Sequence, residues 1–214
     1  MGKIFRIDSF QIVNQHRARR SGGVAPASGA EICGKKLGKG GGIIRTEYLL
    51  DREVERVLAA LMPSNRLVMR VILHTGLRVS DVLELKPDDL QPRRWVTERK
   101  TGKRRLVGFP ADLLADLRAE AGEKWVFSGR KPENHRSRQA VWADVKRAAV
   151  AFRMPQNVGT HSARKCYAVE LMRKYGDIEK VRRILRHSYP STTLIYAIAD
   201  KLLEQKYKKR KNKA

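Results

Sequence analysis

Two kinds of hydrophobic spacing divide the chain into predicted helices and one predicted sheet. Apolar residues recur every three or four positions from Leu50 to Leu61 and from Val68 to Ile72, which predicts two helices separated at Pro63. Gly76 follows the second helix and Gly176 follows a later one, and glycine is typical of the position that ends a helix. The same spacing predicts further helices over residues 80–85, 110–122, 141–152, 162–175, 178–186 and 194–203.

The spacing becomes strand-like from residue 95 onward. Residues 95–98 and 104–109 flank Thr101-Gly102, a pair typical of a hairpin turn. Residues 125–127 are predicted as a third strand. The fold class that follows is mainly α with a small antiparallel β-sheet (α+β).

The N-terminal part of the chain differs in composition from the rest. Residues 21–42 contain eight glycines and little hydrophobic pattern, which is typical of a flexible linker. We therefore expect a basic, glycine-rich arm over residues 1–44, a folded domain over residues 45–203 and a basic tail over residues 204–214.

The chain carries far more basic than acidic residues. Among its 214 residues, 46 are Lys or Arg and 22 are Asp or Glu, a formal net charge of +24. An excess of this size indicates a polyanionic partner, most often nucleic acid. The apolar runs are far shorter than the about 20 residues of a membrane-spanning helix, and the two cysteines, Cys33 and Cys166, suit a reducing compartment. We therefore expect a cytoplasmic protein with no membrane partner.

Six polar side chains stand out when they are taken as a set. Singly, each is typical of an ordinary surface or core position. Together they combine two arginines, two histidines, a lysine at the predicted hairpin turn and a tyrosine, a set that suits phosphodiester chemistry without a metal. The six residues are Arg78, Lys100, His161, Arg164, His187 and Tyr196.

The chemistry of each residue type explains this interpretation. A guanidinium can hold two phosphate oxygens, and two guanidiniums can neutralise the charge that develops on a phosphate under attack. A tyrosine hydroxyl, with an ordinary pKa of about 10, ionises more readily in a positive pocket and can then act as a nucleophile. A lysine can give a proton to the leaving 5′ oxygen.

The order and spacing of these residues resemble the catalytic domain of the tyrosine recombinases, or phage integrases. The segment Thr75-Gly76-Leu77-Arg78-Val79-Ser80-Asp81 is similar to the first box of that family, and His161 and Arg164 match its H-x-x-R pair. His187 matches the histidine of the third box, and Tyr196 follows nine residues later, as the family's nucleophile does. Agreement of so many elements in one order makes the signal specific.

The resemblance covers residues 46–201 and implies the DNA breaking-rejoining fold. It also implies a strand transferase that needs neither a metal nor a cofactor. Tyr196 would form a 3′-phosphotyrosyl link, and Lys100 would be the general acid because it matches the family's hairpin lysine. Lys103, just past the turn, competes for that role.

The resemblance assigns the remaining site residues as well. Arg78, Arg164 and His187 would hold the scissile phosphate. His161 would assist proton transfer or orientation, and Asp81 would support Arg78 from behind. The basic residues around the hairpin turn are expected to bind the DNA backbone: Arg99, Lys103, Arg104 and Arg105.

The implied function is site-specific DNA recombination in integration, excision or inversion. Its partners would be double-stranded DNA and further copies of the chain, because exchange of four strands requires a tetrameric synapse. A DNA-bending accessory protein is a further partner that the family allows.

The sequence departs from the family pattern in two ways. Ala163, Lys165 and Arg186 replace residues that are common in the second and third boxes, without touching a predicted catalytic group. About 45 residues precede the predicted catalytic domain, too few for the helical core-binding domain of most members. The sequence is therefore similar to the minimal recombinases that invert promoters, or to a truncated or element-encoded integrase.

Other functions share part of the pattern. A type IB topoisomerase uses the same chemistry to relax supercoils, and a catalytically silent DNA-binding regulator would also explain the charge. A nucleotide-binding loop at residues 34–40 lacks the spacing and the Ser/Thr of a Walker A motif. Asp88-Asp89 lies at a predicted turn, which disfavours a metal-dependent transposase.

Overall fold

The computed structural model describes residues 48–185, which form seven helices and two strands. Pro87–Asp89 adds one turn of 3-10 helix after the third α-helix. The elements in chain order are α1 (Asp51–Ala60), α2 (Pro63–Thr75), α3 (Val79–Leu83), β1 (Arg93–Thr97), β2 (Arg104–Gly108), α4 (Ala111–Glu120), α5 (Arg138–Ala151), α6 (Thr160–Tyr175) and α7 (Ile178–Leu185).

The sequence explains where the first two helices begin and end. The amide of Leu50 donates to the Glu53 carboxylate at 2.8 Å, which satisfies a free backbone group at the start of α1. Pro63 is the first residue of α2, where its missing amide hydrogen costs nothing. Gly76 ends α2 with a φ of 62°, a left-handed conformation that glycine adopts without strain. Both predicted helices are confirmed.

The two strands form an antiparallel hairpin with distinct inner and outer faces. Trp95 lies opposite Leu106, and Val96 lies opposite Arg105. Because side chains alternate along a strand, Val96 and Val107 face the core, whereas Trp95 is 53% exposed. The hairpin therefore contributes to the core with its inner face and exposes its outer face to solvent.

The predicted third strand over residues 125–127 is wrong. The segment crosses the end of α3, and the amide of Val126 donates to the Leu85 carbonyl at 2.9 Å. An isolated bridge between Ser128 and His135 is the pairing that follows. The apolar run of this segment reflects burial in the helical core, since Val126 and Phe127 are fully buried.

The core is centred on α2, which packs against α6. Val68 and Val71 of α2 are completely buried in the main hydrophobic cluster. A smaller cluster joins α6 to α7 through Tyr167, Leu171 and Val181. The mainly α fold with a small antiparallel sheet is confirmed, and the helix predicted over residues 194–203 lies outside the described residues.

Between residues 48 and 185, every helix is too short or too polar to span a lipid bilayer.

Candidate active site

Arg78 stands at the start of α3, directly after the turn that ends α2. Its backbone is extended, with φ of −74° and ψ of 150°, so the side chain leaves the turn before the helix begins. The guanidinium Nη1 donates to Glu98 Oε2 at 2.5 Å. The Arg78 side chain is 19% exposed and that of Glu98 is 0% exposed, so the ion pair lies at the edge of the interior.

Arg164 lies in the first turn of α6 and is buried. Its guanidinium donates to the carbonyl of Gly76 and, at 2.6 Å, to the carbonyl of Leu185. These bonds tie α6 to the ends of α2 and α7. Burial, followed by the positive charges of Arg105 and Arg78, lowers the pKa of Arg164 to about 10. Arg164 therefore remains a cation at neutral pH.

His161 is exposed on the same first turn of α6 as Arg164. Desolvation of the ring by the surrounding protein lowers the pKa of His161 below its ordinary value of 6.5. The positive charges of Arg164, Lys165, Arg78 and, from the start of α5, Arg138 lower this pKa further. The imidazole is therefore mostly neutral at pH 7, a form with one nitrogen that can accept a proton.

Asp81 is buried in α3 and is turned toward the hairpin. Its Oδ1 accepts a hydrogen bond from the amide of Arg99 at 3.0 Å. Its Oδ2 is buried and has no hydrogen-bond partner within the part of the chain that the structure describes. Burial, with the nearby negative charge of Glu98, raises the pKa of Asp81 above its ordinary value. The support of Arg78 by Asp81 therefore stays a prediction. The carboxylate that is hydrogen-bonded to the Arg78 guanidinium belongs to Glu98.

The hairpin turn carries Lys100 at an exposed position. Arg99 beside it is also exposed, and its guanidinium donates to Glu84 at 2.8 Å. Lys103 and Arg104 are exposed as well, which suits the predicted contact with DNA. Arg105 is different, because it is buried and donates to the Ile184 carbonyl at 3.4 Å.

The structure brings three of the six predicted catalytic residues into one neighbourhood. Arg78 and Arg164 lie close enough to His161 for their positive charges to lower its pKa, and the charge of Arg78 also lowers the pKa of Arg164. Lys100 is held nearby through the turn that Asp81 and Glu98 contact. His187 and Tyr196 lie outside the described residues.

Sequence reasoning missed two charged residues of this neighbourhood. Glu98 was overlooked because it is the single acidic residue among seven basic residues over 93–105. Its position two residues after the inward-facing Val96 was the available signal, since alternate residues of a strand share a face. Arg138 lies far from the predicted motifs in sequence, and nothing local distinguishes it from a surface arginine.

Comparison with protein families gives a match over most of the chain. A model described as the phage integrase family matches residues 47–202. The chain is 30% identical over 130 residues to a probable integrase/recombinase of Bacillus subtilis, covering 58% of this chain and 71% of that protein. It is 31% identical over 161 residues to tyrosine recombinase XerA of Thermococcus kodakarensis, covering 69% of this chain but 56% of that protein.

Solved structures share the same fold. The crystal structure of XerA recombinase has a TM-score of 0.59 and 21% identity, covering 75% of this chain and 65% of that chain. The catalytic domain of bacteriophage HP1 integrase has a TM-score of 0.56 and 24% identity, covering 72% of this chain and 89% of that chain.

Proposed function

Because the chain belongs to the phage integrase family, we propose that it is a site-specific DNA recombinase that cleaves and rejoins strands through a covalent link to Tyr196. The observation that carries the proposal is the proximity of Arg78, Arg164 and a largely neutral His161. Two fixed guanidiniums suit a phosphodiester whose negative charge grows during attack. The net charge of +24 supports double-stranded DNA as the substrate.

The proposed reaction begins when the Tyr196 hydroxyl oxygen attacks the phosphorus of one strand. The Tyr196 proton passes to a neighbouring base, a role for which the neutral imidazole of His161 is suited. The bond from phosphorus to the 5′ oxygen breaks, and Lys100 gives that oxygen a proton. The products are a 3′-phosphotyrosine and a free 5′-hydroxyl.

The second half of the reaction reverses the first with a different strand. A 5′-hydroxyl from the partner duplex attacks the phosphotyrosine and displaces Tyr196. Arg78 and Arg164, together with His187, hold the phosphate in both halves. Exchange of all four strands requires several copies of the chain on DNA, so a tetrameric synapse, with or without a DNA-bending accessory protein, is part of the proposal.

The proposal divides the chain into a catalytic domain and two basic segments that contribute to DNA binding. Residues 45–203 would be the catalytic domain, and the basic arm of residues 1–44 and the basic tail of residues 204–214 would contact phosphates without sequence preference. An enzyme acting on bacterial or phage DNA would work in the cytoplasm, at the nucleoid.

Covalent capture of DNA tests the proposal directly. The probe is a pool of labelled duplexes with randomised cores and one nick, so that cleavage beside the nick releases a short fragment and traps the adduct. We expect the wild-type chain to give a labelled band that survives denaturing detergent. We expect Tyr196→Phe to bind the pool equally well and to give no such band, because phenylalanine lacks the attacking oxygen.

Two results would contradict the proposal or redirect it. An adduct formed by Tyr196→Phe would exclude this residue as the nucleophile, and tight sequence-specific binding without any adduct would favour a silent regulator. Relaxation of a supercoiled plasmid that lacks every captured sequence would favour the topoisomerase alternative.

A further inference from the structure

Glu98 is a fully buried carboxylate surrounded by guanidinium groups. Its Oε2 accepts hydrogen bonds from Arg78 Nη1 at 2.5 Å and from Thr101 Oγ1 at 3.2 Å. Its Oε1 lies 3.9 Å from Arg105 Nη1 and has no hydrogen-bond partner within residues 48–185. A buried charge is costly unless other charges and hydrogen bonds compensate it, so these neighbours are needed to keep Glu98 ionised.

The surrounding charges keep Glu98 negative. Burial alone would raise the pKa of Glu98, but the hydrogen bond and charge of Arg78 oppose it. The charges of Arg105 and Arg164 add to that opposition, and the balance lowers the pKa below the ordinary glutamate value. Glu98 is therefore an anion throughout the neutral range, opposite the two arginines that the proposed reaction uses.

The backbone of Glu98 also closes the turn that carries Lys100. The Glu98 carbonyl accepts from the amides of Gly102 at 2.8 Å and Thr101 at 3.2 Å, and its amide donates to the Lys103 carbonyl at 3.0 Å. One residue thus binds the Arg78 guanidinium with its side chain and organises the Lys100 turn with its main chain.

We propose that Glu98 is a positioning residue that holds the Arg78 guanidinium and the Lys100 turn in one fixed relation. Phosphate binding by Arg78 would then depend on the Glu98 carboxylate. Proton donation by Lys100 would depend on the main-chain bonds of Glu98 and on the bond between its carboxylate and Thr101. This inference rests on the proposed recombinase function. It assigns to Glu98 no contact with DNA, since its side chain is completely buried.

A substrate with sulfur in place of the bridging 5′ oxygen separates the two effects. A thiol has a pKa of about 8.5, far below that of an alcohol, so a thiolate leaves without a proton from Lys100. The sulfur substrate therefore restores the cleavage rate of a variant in which Lys100 is misplaced. It does not restore the rate of a variant in which Arg78 is misplaced. The DNA is a nicked duplex taken from those that the wild-type chain captures.

Two substitutions divide the contacts of Glu98. Glu98→Gln keeps an oxygen that can accept from Arg78 and Thr101 but removes the charge. Thr101→Val removes the hydroxyl that joins the turn to the carboxylate, together with its long 3.4 Å contact to the Lys103 amide. Glu84→Gln is the matched control, because Glu84 binds Arg99 of the same turn at a partly exposed site.

We expect Glu98→Gln to slow adduct formation on the oxygen substrate about 100-fold, since small displacements of reacting groups have effects of this size. On the sulfur substrate Glu98→Gln should form the adduct only about 10-fold more slowly than the wild type, because the misplacement of Arg78 still slows the reaction. Thr101→Val should show a smaller deficit that disappears with sulfur. Glu84→Gln should match the wild type on both substrates.

Each other result overturns the inference. Wild-type rates for Glu98→Gln would show that the carboxylate positions nothing. An equal deficit on both substrates would confine its action to Arg78, and complete repair by sulfur would confine it to Lys100. If the wild type forms no adduct at all, the proposed recombinase function is wrong, and the inference about Glu98 is rejected with it. Thermal unfolding of Glu98→Gln separates these outcomes from loss of the fold.

Discussion

Arg104 and Arg105 are neighbours in sequence with opposite surroundings. Arg104 is exposed on the outer face of the hairpin, where its guanidinium lies 5.7 Å from the centre of the Trp95 ring. Arg105 is 7% exposed on the inner face, near Glu98 and the Ile184 carbonyl. Strand alternation alone separates an arginine on the solvent-exposed face from one that holds the interior together.

The same division applies to the basic charge as a whole. The exposed cations around the turn suit sequence-independent contact with phosphates, which salt weakens. The buried ones are fixed by carbonyls and by a carboxylate, so their positions depend on packing rather than on solvent ions. The net charge therefore favours binding to a polyanion. Burial determines which of the basic side chains are held in a fixed position.

The largest expected effect contrasts these two arginines directly. Arg105→Ala should lower the free energy of unfolding by about 3 kcal/mol, because it leaves Glu98 with less compensation in the interior. Arg104→Ala should lower it by less than about 1 kcal/mol, the value of an exposed cation–π contact. Chemical denaturation of both variants measures the difference. Equal losses would mean that the inner and outer faces are not energetically distinct.

A second contrast concerns the two glycines that end α2 and α6. Gly76 and Gly176 have φ values of 62° and 64°, so alanine is strained at either position. A Cβ on Gly76 would lie 2.2 Å from Cδ1 of Tyr167, whereas nothing lies within 4 Å of a Cβ on Gly176. Gly76→Ala should therefore cost about 2 kcal/mol more than Gly176→Ala.

Denaturation midpoints of these two variants make the comparison. Similar values would show that Tyr167 moves aside, and that the interior near the site is less rigid than its packing indicates. A larger loss for Gly76→Ala would show that the Tyr167 ring is held in place by its packing.

The smallest expected effect concerns pH. The folded protein lowers the pKa of His161 below that of the unfolded chain, so the unfolded state binds more protons as the pH falls. The contribution of His161 to stability is therefore largest above pH 6.5 and declines as the pH passes down through the folded pKa. His161→Gln should remove that decline.

Proton NMR titration of His161 checks the cause of the shift. Arg138→Gln should raise the pKa of His161, because it removes one neighbouring positive charge. An unchanged titration would mean that desolvation accounts for the shift by itself.

Local pattern was sufficient for most of the fold. The helices around Val57, Val68 and Val145 follow from their apolar spacing, and the hairpin follows from Thr101-Gly102. The segment containing Val126 was misassigned because a short apolar run has the same appearance in a strand and in a buried crossing. The apolar pattern of the sequence predicts well which residues are buried. It predicts poorly which residues they contact.

The candidate site shows the same limit. Motif spacing predicted Arg78 and Arg164, and the structure gives them neighbouring positions. The carboxylate that binds Arg78 comes from a residue 20 positions away and has no motif of its own. Long-range contacts of this kind depend on how α3 packs against the hairpin. The spacing of residues in the sequence gives no information about that packing.

The bonded turn around Lys100 has a consequence for the cost of ordering. Its neighbours are already held by bonds to Asp81 and Glu98 before any ligand arrives. Fixing the backbone of one free residue costs about 1 to 2 kcal/mol in conformational entropy. A turn that is ordered in advance spares that expense on binding, so more of the contact energy is expressed as affinity. For Lys100, it is then the side chain that remains to be immobilised.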